Sequence, residues 1–276
     1  MANRDCLLFT PLLGHPCYSS EVSDAAANVE SALSGELGPA RRTSPSLPER
    51  FAAMAEIVLC SGFPTQLFLL TLMTGFGMRL HTADGKWSPI FVSVLSLLDT
   101  ALVIGLIAMF LASHRERPRD VLLGHRPPLK EAIVGVLLVP LVFMIAVVAL
   151  ALLFLFAPQL HNVPHNPLED MLQNRRDALI FGVVAMVAGG VREEIQRAFI
   201  LHRFEQYLGG GIVGVVVYSV AFGLGHLDQG WDAVITVATL GAIWGTIYLI
   251  RRSVIAPMVS HAGFNLAQVI KFLALR

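Results

Sequence analysis

Long, nearly unbroken runs of apolar residues follow one another along most of this chain, and the polar residues that interrupt them are few enough to name. Runs near 57–77, 90–112, 132–156, 178–200, 211–227, 232–250 and 254–275 each approach the ~20 residues with which an α-helix crosses ~30 Å of hydrocarbon. A segment in hydrocarbon has to satisfy its own backbone N–H and C=O groups, which a helix does without outside partners. The pattern predicts an all-α fold, a polytopic transmembrane helical bundle of about seven helices, with roughly six to eight compatible with the run ends. The run at 211–227 is short and glycine-rich, so its ends are the least defined. No internal repeat is evident.

Residues 1–50 read differently. Ser, Pro, Gly and Ala mix with scattered charges, and 38–50 (GPARRTSPSLPER) has a linker composition. The expected division is a disordered cytoplasmic segment over 1–50 and a membrane domain over 51–276. The first residues lack a basic start followed by an apolar core, so no signal peptide is expected. Arg115, Arg117, Arg119, Arg126 and Lys130 follow the second run, Arg41, Arg42 and Arg50 precede the first, and Arg251 and Arg252 follow the sixth. Placing these basic loops in the cytoplasm puts the N-terminus inside. Arg175 and Arg176 fall on the opposite side.

Composition agrees with a membrane location. The chain is 55% hydrophobic and 14% charged, where soluble domains carry about a quarter charged residues. Mean hydropathy is +0.65. The formal net charge of zero gives no sign of nucleic acid as a partner. Cys6, Cys17 and Cys60 form no CxxC or Cys/His spacing, so they are expected as ordinary thiols.

Three interruptions are costly where they stand. Glu193-Glu194-Ile195-Gln196-Arg197, Phe222-Gly223-Leu224-Gly225-His226 and His261-Ala262-Gly263-Phe264-Asn265 lie on three separate apolar runs. A charge at mid-bilayer costs about 3 kcal/mol on insertion scales, so such side chains are expected to face a polar interior or a site. Glu193 and Arg197 are four apart, and Glu194 and Arg197 three apart, so either pair shares a helix face. Burial and a neighbouring arginine act oppositely on a carboxyl group, so the two acids can be tuned apart. The alternative is that the helix leaves the membrane here and the cluster is a solvated turn. Phe222 lies one turn before His226, and His261 one turn before Asn265. A histidine and an asparagine so paired can bind a metal, orient water or donate to an oxyanion. Asp99 is expected as a structural hydrogen-bond partner and Glu56 as an interfacial residue. Trp231, Trp244 and Tyr248 are expected as interface anchors or packing.

The order and spacing of the three clusters resemble the CAAX-prenyl-protease and bacteriocin-processing (CPBP) intramembrane proteases, also called the Abi family. That family's pattern is Glu-Glu-x-x-x-Arg, then Phe-x-x-x-His, then His-x-x-x-Asn on successive helices. Phe222 to His226 and His261 to Asn265 match, and the resemblance covers 175–275. The first motif departs from the pattern, because only two residues separate Glu194 from Arg197. Either Glu193 and Glu194 are the pair and the arginine has moved, or Arg197 keeps its register. In the second case Arg192 stands in the first glutamate's place and Glu193 in the second's.

The resemblance implies hydrolysis of a peptide bond in a prenylated or membrane-associated peptide, with membrane lipids as surroundings. Glu193 or Glu194 would activate water, and Arg197 would hold the carboxylates. His226 would share that water, and His261 and Asn265 would stabilise the oxyanion. Glu193, His226 and His261 also make a candidate set for one divalent metal ion, with zinc the first choice, while metal-free catalysis stays open. Two other readings remain: a catalytically inactive membrane scaffold or regulator, and an ion-coupled transporter.

Overall fold

A computed structural model describes residues 44–164, 166–170 and 174–275. The division expected at 50 falls partly outside these residues. Where it can be seen, the first helix, α1 (Leu47–Leu59), begins before it. Ser46 and Glu49 explain the early start. The Ser46 backbone N–H and its hydroxyl both donate to Glu49 Oε2 at 2.7 Å, a capping box that satisfies donors at the helix end.

The helices follow the apolar runs. α2 (Phe63–Gly75) continues α1 after a break that bends the pair by 44°. Then come α3 (Pro89–Ser113), the short α4 (Pro118–Leu122), α5 (Pro128–Phe156) and the short α6 (Pro167–Asp170). α7 (Arg175–Val184) passes through a π-helical stretch, Ala185–Arg192, straight into α8 (Glu193–Tyr207). α9 (Gly211–Leu224), α10 (Trp231–Arg251) and α11 (Ile255–Leu275) complete the chain. The result is a helical bundle, with one isolated two-residue β-bridge between His81 and Trp87.

All seven apolar runs are helical. Among the described residues, α3, α5 and α10 can each cross a membrane by length and composition, and the bent pair α1–α2 makes a fourth if it is one span, against the seven expected. α9 is apolar but has 14 residues. The helices that bear the Glu193 and His261 clusters are not among those crossing by this measure.

Close approaches fix the middle of the bundle. α11 packs on α5, on the π-helical stretch and on α10. A Cβ on Gly190 would stand 2.6 Å from Ala262 Cβ, and one on Gly135 would stand 2.6 Å from Val259 Cβ. Both glycines let helices touch at backbone distance. The break between α1 and α2 has its own reason. Gly62 lies at φ 83°, and a Cβ there would meet the Arg192 guanidinium at 3.1 Å.

The basic loops gather at one end. Arg126 Nε donates to the Arg251 carbonyl at 3.0 Å, and Val254 N–H donates to the Leu122 carbonyl at 2.8 Å. Arg251 pairs with Glu131 at 2.6 Å, and Arg252 with Glu205 at 2.5 Å. Arg175 starts the helix that reaches this end at Tyr207, so it lies at the other. Glu56 is buried here, contrary to the interfacial place expected for it: His114 Nε2 lies at 2.6 Å and Arg203 Nε at 2.6 Å. Arg203 is fully buried and also donates to Glu116 Oε2 at 2.7 Å.

Arg203→Ala is expected to lower unfolding stability in detergent by about 3–5 kcal/mol, because it strands buried Glu56 without its cation. Burial pushes the Glu116 carboxyl up, but hydrogen bonds from Gln206, Arg203 and His202 outweigh it and hold the group below its ordinary 4.5. A carboxylate so depressed stabilises the fold above its unfolded pKa and loses that contribution as pH falls. Unfolding midpoints should therefore drop below pH 4.5 in the wild type, and less so in Glu116→Gln.

Candidate active site

Glu193 and Glu194 open α8 at the point where the π-helical stretch ends. Their side chains part at once. Glu194 is 1% exposed and is held by Arg197, one turn on, and by His261 Nδ1, 2.8 Å from its Oε1. Glu193 is partly open and lines a cavity of about 560 Å³. His226, His261 and Asn265 line the same cavity. Apolar side chains form part of its walls, Ala146, Leu150 and Phe154 from α5, Phe181 from α7, and Val237 and Leu240 from α10, beside polar ones that include Asp232, Thr236 and Gln268. The cavity also touches His161 and Asn166, so it extends away from the basic end.

The three clusters expected from spacing do converge. Arg197 was expected to hold both carboxylates, but its ion-pair partner among the described residues is Glu194. Its remaining surroundings are aromatic, with the guanidinium carbon 4.8 Å from the Phe222 ring, 5.5 Å from Tyr218 and 5.7 Å from Trp244. Arg197 Nε and Nη2 have no hydrogen-bond acceptor, so these ring faces are what surrounds the buried charge. The solvated-turn alternative for this cluster fails, since Glu194, Gln196 and Arg197 are all buried.

An ionised carboxylate only accepts, so His261 Nδ1 donates to Glu194. His261 Nε2 lies 3.8 Å from Glu193 Oε2. α9 ends at Leu224, so His226 sits on the following turn rather than on the helix. Its Nδ1 donates to the Phe222 carbonyl at 2.9 Å. Asn265 Nδ2 donates to the Ala185 carbonyl of the π-helical stretch at 3.1 Å. Gly189 makes room for that contact, because a Cβ there would stand 2.4 Å from Asn265 Nδ2.

Arg192 faces elsewhere. Its guanidinium bonds Gln196 Oε1 at 2.9 Å and pairs with Asp99 at 3.4 Å, in the space opened by the α1–α2 break. Asp99 in turn takes the Thr65 hydroxyl at 2.5 Å, the structural role expected of it. Gln196 anchors the group by donating to the Cys60 carbonyl at 2.7 Å.

Sequence reasoning missed two groups. Trp244 is the buried packing residue that was one of its two expected roles, but its stacking on His261, with ring centroids 3.8 Å apart, was not expected. Its i+4 series with Asp232, Thr236 and Leu240 on one face of α10 was a readable signal of a cavity wall. Arg192 was considered only as a register position, although a second arginine in an apolar run calls for an acid such as Asp99.

Among the described residues no three His, Cys, Asp or Glu side chains stand close enough together to hold a metal ion. Glu193, His226 and His261 thus do not form the expected ligand set in this arrangement.

Residues 175–267 match the family model described as type II CAAX prenyl endopeptidase Rce1-like. Over these residues the chain is similar to that family. The Rce1-like region begins with α7 and contains all three clusters, together with Trp244. Comparison with curated proteins and with solved structures finds no match. The Rce1-like match supports a CAAX-type intramembrane protease in general, and with the apolar helices it supports an integral membrane protein.

The two glutamates separate by stability. Glu194→Gln leaves Arg197 buried without its carboxylate and is expected to cost about 3–5 kcal/mol. Glu193→Gln, at the cavity wall, should stay within about 1 kcal/mol of wild type. Denaturant unfolding in detergent measures both.

Proposed function

We propose that the chain is an intramembrane endopeptidase that hydrolyses a peptide bond in a prenylated or membrane-associated peptide, with Glu193 as general base. One observation carries the choice of glutamate: Glu193 lines the cavity, while Glu194 is fully buried between Arg197 and His261. Arg192, which does not line the cavity, lies toward Asp99, so the position before Glu193 supplies no competing group there.

The reaction then uses this chain's own groups. A water held by the His226 Nε2 lone pair gives its proton to the Glu193 carboxylate as its oxygen attacks the scissile carbonyl carbon. The protonated Glu193 donates a hydrogen bond to His261 Nε2, whose orientation Glu194 fixes from the other side. Asn265 has a second amide hydrogen beyond the one given to Ala185, and it stabilises the oxyanion. When the tetrahedral intermediate collapses, the C–N bond breaks and Glu193 returns its proton to the leaving amine. The apolar walls suit a lipidated or apolar peptide, and they exclude bulk water from the charges.

Cleavage of a farnesylated reporter peptide by purified protein in detergent tests this. Glu193→Gln is expected to lose about 10²–10⁴-fold in rate. Gly189→Ala, which pushes on Asn265, should lose roughly 10–100-fold through misplacement of that side chain. Chelator treatment with metal analysis of the same samples is expected to leave cleavage intact. Cleavage retained by Glu193→Gln, or abolished by the chelator, overturns the reading; a wild type inert on this peptide and on a mixed membrane-peptide pool points instead to the scaffold.

A further inference from the structure

His261 has to serve two acids at once. Its Nδ1 lies 2.8 Å from Glu194 and its Nε2 3.8 Å from Glu193. A rotation of the imidazole about its Cβ–Cγ bond breaks both relations, and neither glutamate can prevent it alone. The indole of Trp244 lies flat against the imidazole, with centroids 3.8 Å apart and planes 16° apart. It is 1% exposed, and Phe264 meets it edge-on at 6.2 Å. Its Nε1–H donates to Ser260 Oγ at 3.3 Å, on the residue next to His261. The Arg197 guanidinium lies 5.7 Å from the same indole.

We propose that Trp244 is a positioning residue: it holds the His261 ring in the plane that points one nitrogen at Glu194 and the other at Glu193. The indole is itself pinned by Ser260 and Phe264, so it acts as a fixed wall against ring rotation. Its contact with Arg197 ties the same indole to the guanidinium that holds Glu194. Trp244 touches neither the attacking water nor the scissile bond in the scheme above; it acts through His261.

The proposal rests on the hydrolytic reading, and the experiment has one arm that does not. In steady-state cleavage, Trp244→Leu is expected to lower kcat roughly 10–100-fold with KM within about twofold, as befits misplaced catalytic geometry. Trp244→Phe keeps a flat ring and should recover most of that loss. On a His261→Ala background, adding Trp244→Leu should lower the residual rate no further, whereas a merely structural role would lower it again. Should Trp244→Leu not fold, Ser260→Ala, which frees the indole N–H, is expected to lower kcat several-fold. The independent arm uses a Trp87→Phe/Trp231→Phe protein, in which Trp244 is the remaining one of the three tryptophans. There, His261→Ala removes the stacked ring and should raise Trp244 emission. An unchanged kcat, an effect confined to KM, an additive loss on His261→Ala, or unchanged emission overturns the proposal. If the wild type cleaves nothing, the protease reading fails while the emission arm still decides whether the indole is stacked on His261.

Discussion

The pairing of Arg197 with Glu194 is the contact on which the site is built. A buried arginine and a buried glutamate are each costly to remove from water, and each is tolerable only because the other is there. One turn of α8 brings them together. Once paired, they impose requirements on their neighbours. Glu194 needs a second donor and takes His261 from α11; Arg197 has nitrogens without acceptors and is covered by Tyr218, Phe222 and Trp244. Three helices are thereby referenced to one ion pair. Glu193, the next residue back, is left at the cavity wall, with Arg192 Nη2 3.9 Å and His261 Nε2 3.8 Å from its carboxylate.

A second charge pair does the complementary work. Arg192 Nη2 lies between two acids, 3.4 Å from Asp99 and 3.9 Å from Glu193. Asp99, Gln196 and the space at Gly62 hold the guanidinium on the side of the α1–α2 break. The break between α1 and α2 is part of this arrangement, because the Cys60 carbonyl freed there receives Gln196. Alternate residues of one helical stretch thus face a cavity and an ionic cluster, and the partner of each charge lies on a different helix.

Much of this was legible in the chain itself. The apolar runs gave the helices, and the spacing of Phe222 to His226 and His261 to Asn265 marked residues that do line one cavity. Asp99, a lone acid in an apolar run, was correctly taken as a structural partner. Glu56 was misplaced because its partners, His114 and Arg203, are 58 and 147 residues away. Trp244 was read as packing because a tryptophan on an apolar helix looks the same in sequence whether it meets lipid or a histidine. The position of His226 also escaped, since α9 stops at Leu224 and the spacing argument assumed an unbroken helix.

By itself the sequence determined the helical class, the membrane character and the set of polar residues that could not be left in hydrocarbon. Local backbone demands and the cost of burying charge act along the chain, so they can be read along it. It did not determine which glutamate faces the cavity. That depends on helix phase, and the π-helical stretch before Glu193 shifts the phase away from the regular 100° per residue. Contact between Gly189, Gly190 and α11, and the pull of Asp99 on Arg192, come from parts of the chain far apart in sequence. Only the folded bundle brings them together, and only there do the two neighbouring acids acquire different surroundings.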